Sequence, residues 1–195
     1  MFEKEIKKYQ ALNKLAESNG IVILGSEDDM SIPFGELKQA FEIESKIYNR
    51  SVADLSVVYA ADIYDKCIAE LHPETVLIHI GMADIELFKK NPAMFDKAYR
   101  NLVEHIKNCN PKTRIAVVSL RNFENDELLA NINKHLSYIA DSEHCEYGDI
   151  SSRRVWNPKN TKEAYSFAYS VSFVNPFINQ KPIYDLIKIL FCYEV

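Results

Sequence analysis

Polar residues capable of chemistry follow three apolar runs of the sequence. One group comes directly after the run at 21–24 and comprises Ser26, Glu27, Asp28 and Asp29. Asp54 and Asp84 follow the next two runs. A serine hydroxyl becomes a nucleophile only with a base within hydrogen-bond reach. Carboxylates are the ligands that hard cations such as Mg²⁺ or Ca²⁺ prefer. These positions therefore allow either a nucleophile or a cation site.

A purely structural interpretation competes at each position. Acidic residues favour helix starts and turns, and serine often caps a turn. We favour such a capping role for Ser26. His79 is the only histidine inside a predicted core strand, and we expect it to be buried and satisfied by a neighbour. Its action as a base for Ser26 remains the alternative.

The apolar patterning alternates between strand-like runs and helical stripes. Predicted strands cover 21–24, 47–52, 75–80, 114–120 and 146–150, and predicted helices cover 1–19, 37–47, 60–71, 91–110, 128–140 and 183–191. This alternation predicts an α/β fold with a parallel sheet and helices on both faces. Ligands of such sheets bind outside the carboxyl ends of the strands. The segments to consider are 25–30, 51–55, 81–86, 119–124 and 150–156.

Composition excludes several classes of protein. The chain has 195 residues, 47% of them hydrophobic, and a net charge of −5. We expect one domain spanning 1–195, no nucleic-acid partner and no membrane span, because positive charge is not clustered and no apolar run approaches about 20 residues. The four cysteines are far apart without a C-x-x-C motif, which favours free thiols and a cytoplasmic location.

The junctions after the strands resemble one family in order and spacing. The matching segments are Ile21–Met30 (IVILGSEDDM), Asn49–Asp54 (NRSVAD), Val76–Ile85 (VLIHIGMADI), Asn108–Leu120 (NCNPKTRIAVVSL) and Tyr147–Ile150 (YGDI). They are similar to the conserved blocks of the SGNH/GDSL hydrolases, a superfamily of esterases and acylhydrolases. The resemblance covers nearly the whole chain. It implies a three-layer α/β/α fold with a five-stranded parallel sheet in the flavodoxin-like order 2-1-3-4-5.

The catalytic positions that the resemblance implies are degenerate. The nucleophilic serine of the family's Gly-Asp-Ser corresponds to Glu27, which follows Gly25 and Ser26. The oxyanion-hole glycine and asparagine correspond to Asp54 and Ala83. Losing one oxyanion donor costs about 2.7–4 kcal/mol of transition-state stabilisation. Asp54 is also expected to bring a negative charge towards the oxyanion.

The family's C-terminal catalytic histidine has no counterpart. The chain's histidines are His72, His79, His105, His135 and His144. None follows the fifth predicted strand, and the matching tail at about 169–184 offers serines and asparagines but no imidazole. We therefore expect a pseudo-hydrolase that acts as a binding or interaction module. The alternative is an active esterase with relocated catalytic residues around Ser26 and Glu27.

A remote alternative is a receiver-like domain that binds Mg²⁺. It would use Asp28, Asp29, Asp84 and Ser119, but no lysine ends the fifth strand. The pocket candidates common to these interpretations are Gly25, Ser26, Glu27, Asp54, Gly81, Ala83 and Asp84. We expect no cofactor and assign no metal ligand. The partner is an unidentified small molecule or protein, and a homo-oligomer is compatible with the sequence. For Arg153, Arg154 and Trp156 we favour a lid or helix-packing role, with a stacking or anion-binding patch as the alternative.

Overall fold

A computed structural model describes residues 2–122, 126–151 and 183–191. Its sheet contains the strands β1 Ile21–Gly25, β2 Ile47–Asn49, β3 Thr75–His79, β4 Arg114–Val118 and β5 Glu146–Gly148. Every pairing is parallel, and the strand order is β2-β1-β3-β4-β5. The predicted fold class and strand order are confirmed.

Helices and short 3-10 turns connect these strands. The α-helices are α1 Glu3–Asn13, α2 Phe34–Ala40, α3 Val57–Cys67, α4 Ile85–Lys90, α5 Pro92–Cys109, α6 Glu127–Ser142 and α7 Ile183–Phe191. Single 3-10 turns cover Glu27–Ser31, Ala69–Leu71 and Met82–Asp84. Two of these turns follow the carboxyl ends of β1 and β3, where the sequence predicts the site.

Two apolar layers hold the sheet between the helices. Val22 and Leu24 of β1 pack in the core with α1, α3, α5 and α6, while Ile21 and Ile23 pack on the opposite face with α2 and α7. All five residues of β1 are buried, as are all five of β3. Continuous apolar runs arise here because a parallel strand covered on both faces has no solvent side.

The helix boundaries agree with the sequence where capping is local. Asn91 accepts a hydrogen bond from the Met94 N–H and Pro92 occupies the first turn, so α5 begins where the Asn-Pro pair predicts. The predicted helix at 183–191 has the bounds of α7. The prediction of a first helix over 1–19 is wrong at its end. Helix α1 stops at Asn13, whose side chain is engaged in long-range hydrogen bonds, and Leu15 is 85% exposed.

Part of the predicted tail lies outside the described residues. This applies to the candidate patch of Arg153, Arg154 and Trp156 and to the segment at 169–182 that corresponds to the family's histidine block. In the three ranges that are described, no helix has the length and apolar character needed to cross a membrane.

Candidate functional site

The turn after β1 is organised around one buried carboxylate. Asp29 is fully buried, and its Oδ2 accepts a hydrogen bond of 3.0 Å from the Ser26 N–H. The Asn49 side-chain amide donates to the Asp29 carbonyl at 2.8 Å, which ties the turn to the end of β2. Of the acids at 27–29, only Asp29 is directed into the protein, whereas Glu27 and Asp28 are exposed.

Asp29 holds the histidine of the central strand. Both carboxylate oxygens lie 2.9 Å from His79 Nδ1, and the His79 residue is only 3% exposed. His79 is thus a buried histidine satisfied at Nδ1 by a neighbour, and that neighbour is Asp29. Sequence inspection could not single out Asp29, because the two residues are 50 positions apart and Asp29 belongs to a run of three acids.

The other side of the His79 ring faces α7. The ring packs edge-on against Phe191, with the two ring centroids 5.0 Å apart. His79 Nε2 is buried, and no hydrogen-bond partner for it exists among the described residues. An Asp–His pair in a hydrolase presents Nε2 to the nucleophile. Here the same nitrogen is buried, and the ring that carries it packs against Phe191.

The absence of a side chain at Gly25 allows Asp29 to approach the end of β1 closely. A Cβ on Gly25 would lie 2.1 Å from Asp29 Oδ2 and 2.6 Å from Ser51 Oγ. Asp29 and Ser51 are both fully buried, so neither side chain can move away to make room for a Cβ. The glycine at the start of the family-like block is therefore required for the close approach of Asp29 to the strand.

The three positions that the resemblance equates with catalytic residues lie at the surface. Glu27, Asp54 and Ala83 are all exposed, at the carboxyl ends of β1, β2 and β3 respectively. Within residues 2–122, no hydrogen bond or ion pair joins any two of them. The shared crevice of Glu27 and Asp54 thus remains a prediction.

The backbone of Asp54 has a conformation that is typical of glycine. Its φ is +53°, in the left-handed region that glycine favours and that aspartate tolerates. A glycine can contribute to an oxyanion hole only through its backbone N–H, and Asp54 retains that group. Of the two positions that the resemblance equates with oxyanion donors, Asp54 thus keeps the group that a glycine would supply, whereas Ala83 has no side-chain amide.

Asp84 is turned away from the surface. It is 1% exposed, and its carboxylate accepts hydrogen bonds from Ser56 Oγ at 2.5 Å and from the Val57 N–H at 3.0 Å. Burial raises the pKa of Asp84, although both hydrogen bonds act in the opposite direction. Asp84 therefore fixes the start of α3 to the turn after β3. Three residues before Asp84, Gly81 has a φ of +139°, a backbone conformation that residues other than glycine rarely adopt.

The receiver-like set of side chains is not assembled. Asp29 is paired with His79, and Asp84 is bonded to the start of α3. Ser119 Oγ donates to Asp149 at 3.1 Å and accepts from the Ile150 N–H at 2.8 Å. Each group satisfies its own local segment, so the described residues give no support to a common magnesium site.

The Asn-Arg pair of the second block has a structural role that sequence inspection missed. Arg50 is 4% exposed and donates from Nε and Nη2 to Asn13 Oδ1, at 3.0 and 2.5 Å. Its guanidinium also lies 5.2 Å from the ring centre of Tyr9 and 5.6 Å from that of Tyr48. Burial lowers the pKa of Arg50. Arg50 thus connects the end of β2 to α1 beneath the site.

Known structures share this architecture. A protein from Streptococcus pneumoniae described provisionally as a platelet activating factor superposes with a TM-score of 0.67 at 18% identity, over 98% of this chain and 92% of that chain. A GDSL-like lipase from Bacteroides thetaiotaomicron gives a TM-score of 0.60 at 13% identity, over 78% and 80% of the two chains. A catalytic mutant of an acetylxylan esterase from Geobacillus stearothermophilus gives 0.56 at 13% identity, over 92% and 98%.

Sequence comparison alone finds no such relatives. No family model matches the chain, and no curated protein matches it either. The similarity is therefore carried by the strand order, the helix layers and the positions of the turns rather than by residue identity. The chain adopts the fold of the SGNH/GDSL hydrolases, in a strongly divergent form.

Proposed function

We infer that the protein is a catalytically inactive SGNH/GDSL-hydrolase-like protein that uses the carboxyl-end face of its sheet for binding. The observation that carries this proposal is the buried Asp29–His79 pair. A general base must reach the proton that it abstracts. His79 Nε2 has no access to the exposed Glu27 surface, because its ring is enclosed between Asp29 and Phe191.

The remaining histidines do not provide a substitute base. His105 pairs with Asp65 of α3, and His135 pairs with Asp96 of α5, so both lie in the helix layer. His72 and His144 precede β3 and β5, at the amino end of the sheet. No histidine occurs after position 144. A serine without a neighbouring base is a weak nucleophile, and this supports an inactive protein.

The exposed chemistry of the face favours a cationic ligand or partner. Glu27, Asp28 and Asp54 present carboxylates at the carboxyl edge, in a chain of net charge −5. Met30 and Met82 from the turns after β1 and β3 are each 41% exposed. Carboxylates beside flexible apolar side chains suit a positively charged group attached to an apolar body. An acyl anion would be repelled.

A serine-directed fluorophosphonate probe tests the absence of an activated nucleophile. We expect no covalent labelling of the wild-type protein under conditions that fully label an active GDSL esterase. The Ser26→Ala variant should behave identically. Labelling of the wild type that disappears in Ser26→Ala would show that an active hydrolase with a relocated nucleophile is the correct interpretation.

Thermal unfolding with a divalent cation tests whether the acidic edge binds cations. If Glu27 and Asp54 share a crevice, millimolar Mg²⁺ or Ca²⁺ should stabilise the protein by about 2.7 kcal/mol at a hundredfold excess over Kd. The Glu27→Gln variant should lose that stabilisation, whereas Glu36→Gln, an exposed control in α2, should keep it. An unchanged unfolding temperature in the wild type would exclude a metal ion and leave only an organic cation or a protein surface as the partner.

A further inference from the structure

Three side chains of different chemistry meet on the helix layer. His105 Nε2 lies 2.6 Å from Asp65 Oδ1 and 3.8 Å from Cys109 Sγ. All three ligand atoms lie within 4.8 Å of one another. Asp65 belongs to α3, while His105 and Cys109 are one helical turn apart on α5, so packing of the two helices creates the group. In the described part of the chain it is the one group of three or more potential metal ligands with this spacing.

The group is remote from the face considered above. Helix α3 ends before β3 and α5 ends just before β4, and Asp65, His105 and Cys109 lie near those helix ends, towards the amino end of the sheet. Among the described residues, no hydrogen bond or ion pair joins them to Glu27, Asp29 or His79. A function of this group is therefore independent of any hydrolase-like chemistry.

The ligand types favour zinc over a hard cation. Zinc accepts thiolate, imidazole and carboxylate ligands in tetrahedral geometry, whereas Mg²⁺ and Ca²⁺ require oxygen. Zinc–ligand bonds of about 2.0–2.3 Å place neighbouring ligand atoms of a tetrahedron about 3.3–3.7 Å apart. The two observed separations of 2.6 and 3.8 Å lie on either side of that range, so side-chain rotations alone can adjust them.

We propose that Asp65, His105 and Cys109 form a zinc-binding site that links α3 to α5. The three side chains are exposed or half-buried, so the fourth tetrahedral position is open to water or to an external ligand. This is the coordination pattern of an accessible zinc site rather than a closed structural one.

Calorimetric titration with Zn²⁺ under a phosphine reductant tests the site. We expect one Zn²⁺ per chain in the wild type, and weakening by at least the roughly 10–100-fold typical of lost outer-shell partners in Asp65→Asn, His105→Gln and Cys109→Ser. Two matched controls should bind normally. His135→Gln removes a histidine that pairs with Asp96 but has no cysteine ligand beside it, and Cys145→Ser removes another free thiol.

Cobalt substitution adds a readout that a merely structural effect would not change. Co²⁺ should show a thiolate charge-transfer band in the wild type and in Cys145→Ser but not in Cys109→Ser. Far-ultraviolet circular dichroism confirms that each variant is folded. Absence of saturable Zn²⁺ binding, or binding that Cys109→Ser and His105→Gln leave unchanged, would overturn the proposal.

Discussion

At the scale of residues, identical side chains in one short run have opposite roles. Asp28 is exposed, while Asp29 is fully buried and bonds both His79 Nδ1 and the Ser26 N–H. A buried donor left without an acceptor costs about 1–3 kcal/mol. The importance of an acid in this turn therefore depends on the direction of its side chain, which the spacing in the sequence does not indicate.

Substitution of the two aspartates by alanine separates these roles. Asp29→Ala should lower the free energy of unfolding by about 2–5 kcal/mol, because two buried donors lose their acceptor. Asp28→Ala, the matched exposed control, should stay within about 0.5 kcal/mol of the wild type. Urea denaturation measures both changes. Equal effects of the two variants would show that the Asp29–His79 pair does not form.

Asp84 provides a pH-dependent test at the same scale. Because burial raises its pKa, the folded protein binds this proton more tightly than the unfolded chain does. Its favourable contribution is complete below the unfolded pKa of about 3.9 and is lost as the pH rises through the folded pKa. The unfolding free energy of the wild type relative to Asp84→Asn should therefore be larger near pH 4 than near pH 7.

Subtraction of the Asp84→Asn variant removes the titration of all other carboxyl groups. The comparison requires urea unfolding of both proteins across the acidic pH range. A difference that grows as the pH rises would mean that the hydrogen bonds from Ser56 and Val57 dominate over burial, contrary to our interpretation.

At the scale of elements, the start or end of a helix can be predicted when the residues that cause it are neighbours in the sequence. The Asn91-Pro92 pair predicts the start of α5, and a dense apolar pattern predicts α7. Both helices begin where they are predicted. The end of α1 cannot be predicted from neighbouring residues in the sequence. Asn13 donates from Nδ2 to the Cys67 carbonyl, 54 positions away, and accepts from Arg50. Such contacts exist only after α1, β2 and α3 have packed together.

Asn13 is accordingly expected to stabilise three elements at once. Asn13→Ala should cost about 2–4 kcal/mol of unfolding free energy, because the buried Cys67 carbonyl loses its side-chain donor and Arg50 Nε and Nη2 lose their acceptor. Lys14→Ala, at the exposed neighbouring position, should change stability by less than about 0.5 kcal/mol. Similar costs for both variants would refute the connecting role of Asn13.

At the scale of the whole molecule, the fold was predictable and the chemistry of the site was predictable only in part. Strand order follows from apolar runs alternating with helical stripes and from the order of the junction motifs, and solved structures at 10–18% identity share the architecture. Glu27 and Ala83 stand at positions where the resemblance predicts catalytic groups, and their loss there stays a prediction. The Asp29–His79 and Arg50–Asn13 pairs required tertiary structure, because their partners lie 50 and 37 positions apart.

The whole molecule thus combines a hydrolase fold with a sequestered histidine. Asp29 and Phe191 contact the buried His79, and Glu27, which the resemblance equates with the nucleophile, is an exposed carboxylate. The catalytic inactivity that we propose rests on three features: the carboxylate at Glu27, the buried His79 and the absence of a side-chain donor at Ala83.

Hydrolysis of short-chain aryl esters tests that claim most directly. The wild-type protein, Ser26→Ala and Glu27→Ala should all release phenol at the rate of the buffer alone, with an active GDSL esterase as the positive control. Turnover by the wild type that is lost in Ser26→Ala or Glu27→Ala would contradict the account and would identify the residue that replaced the family's nucleophile.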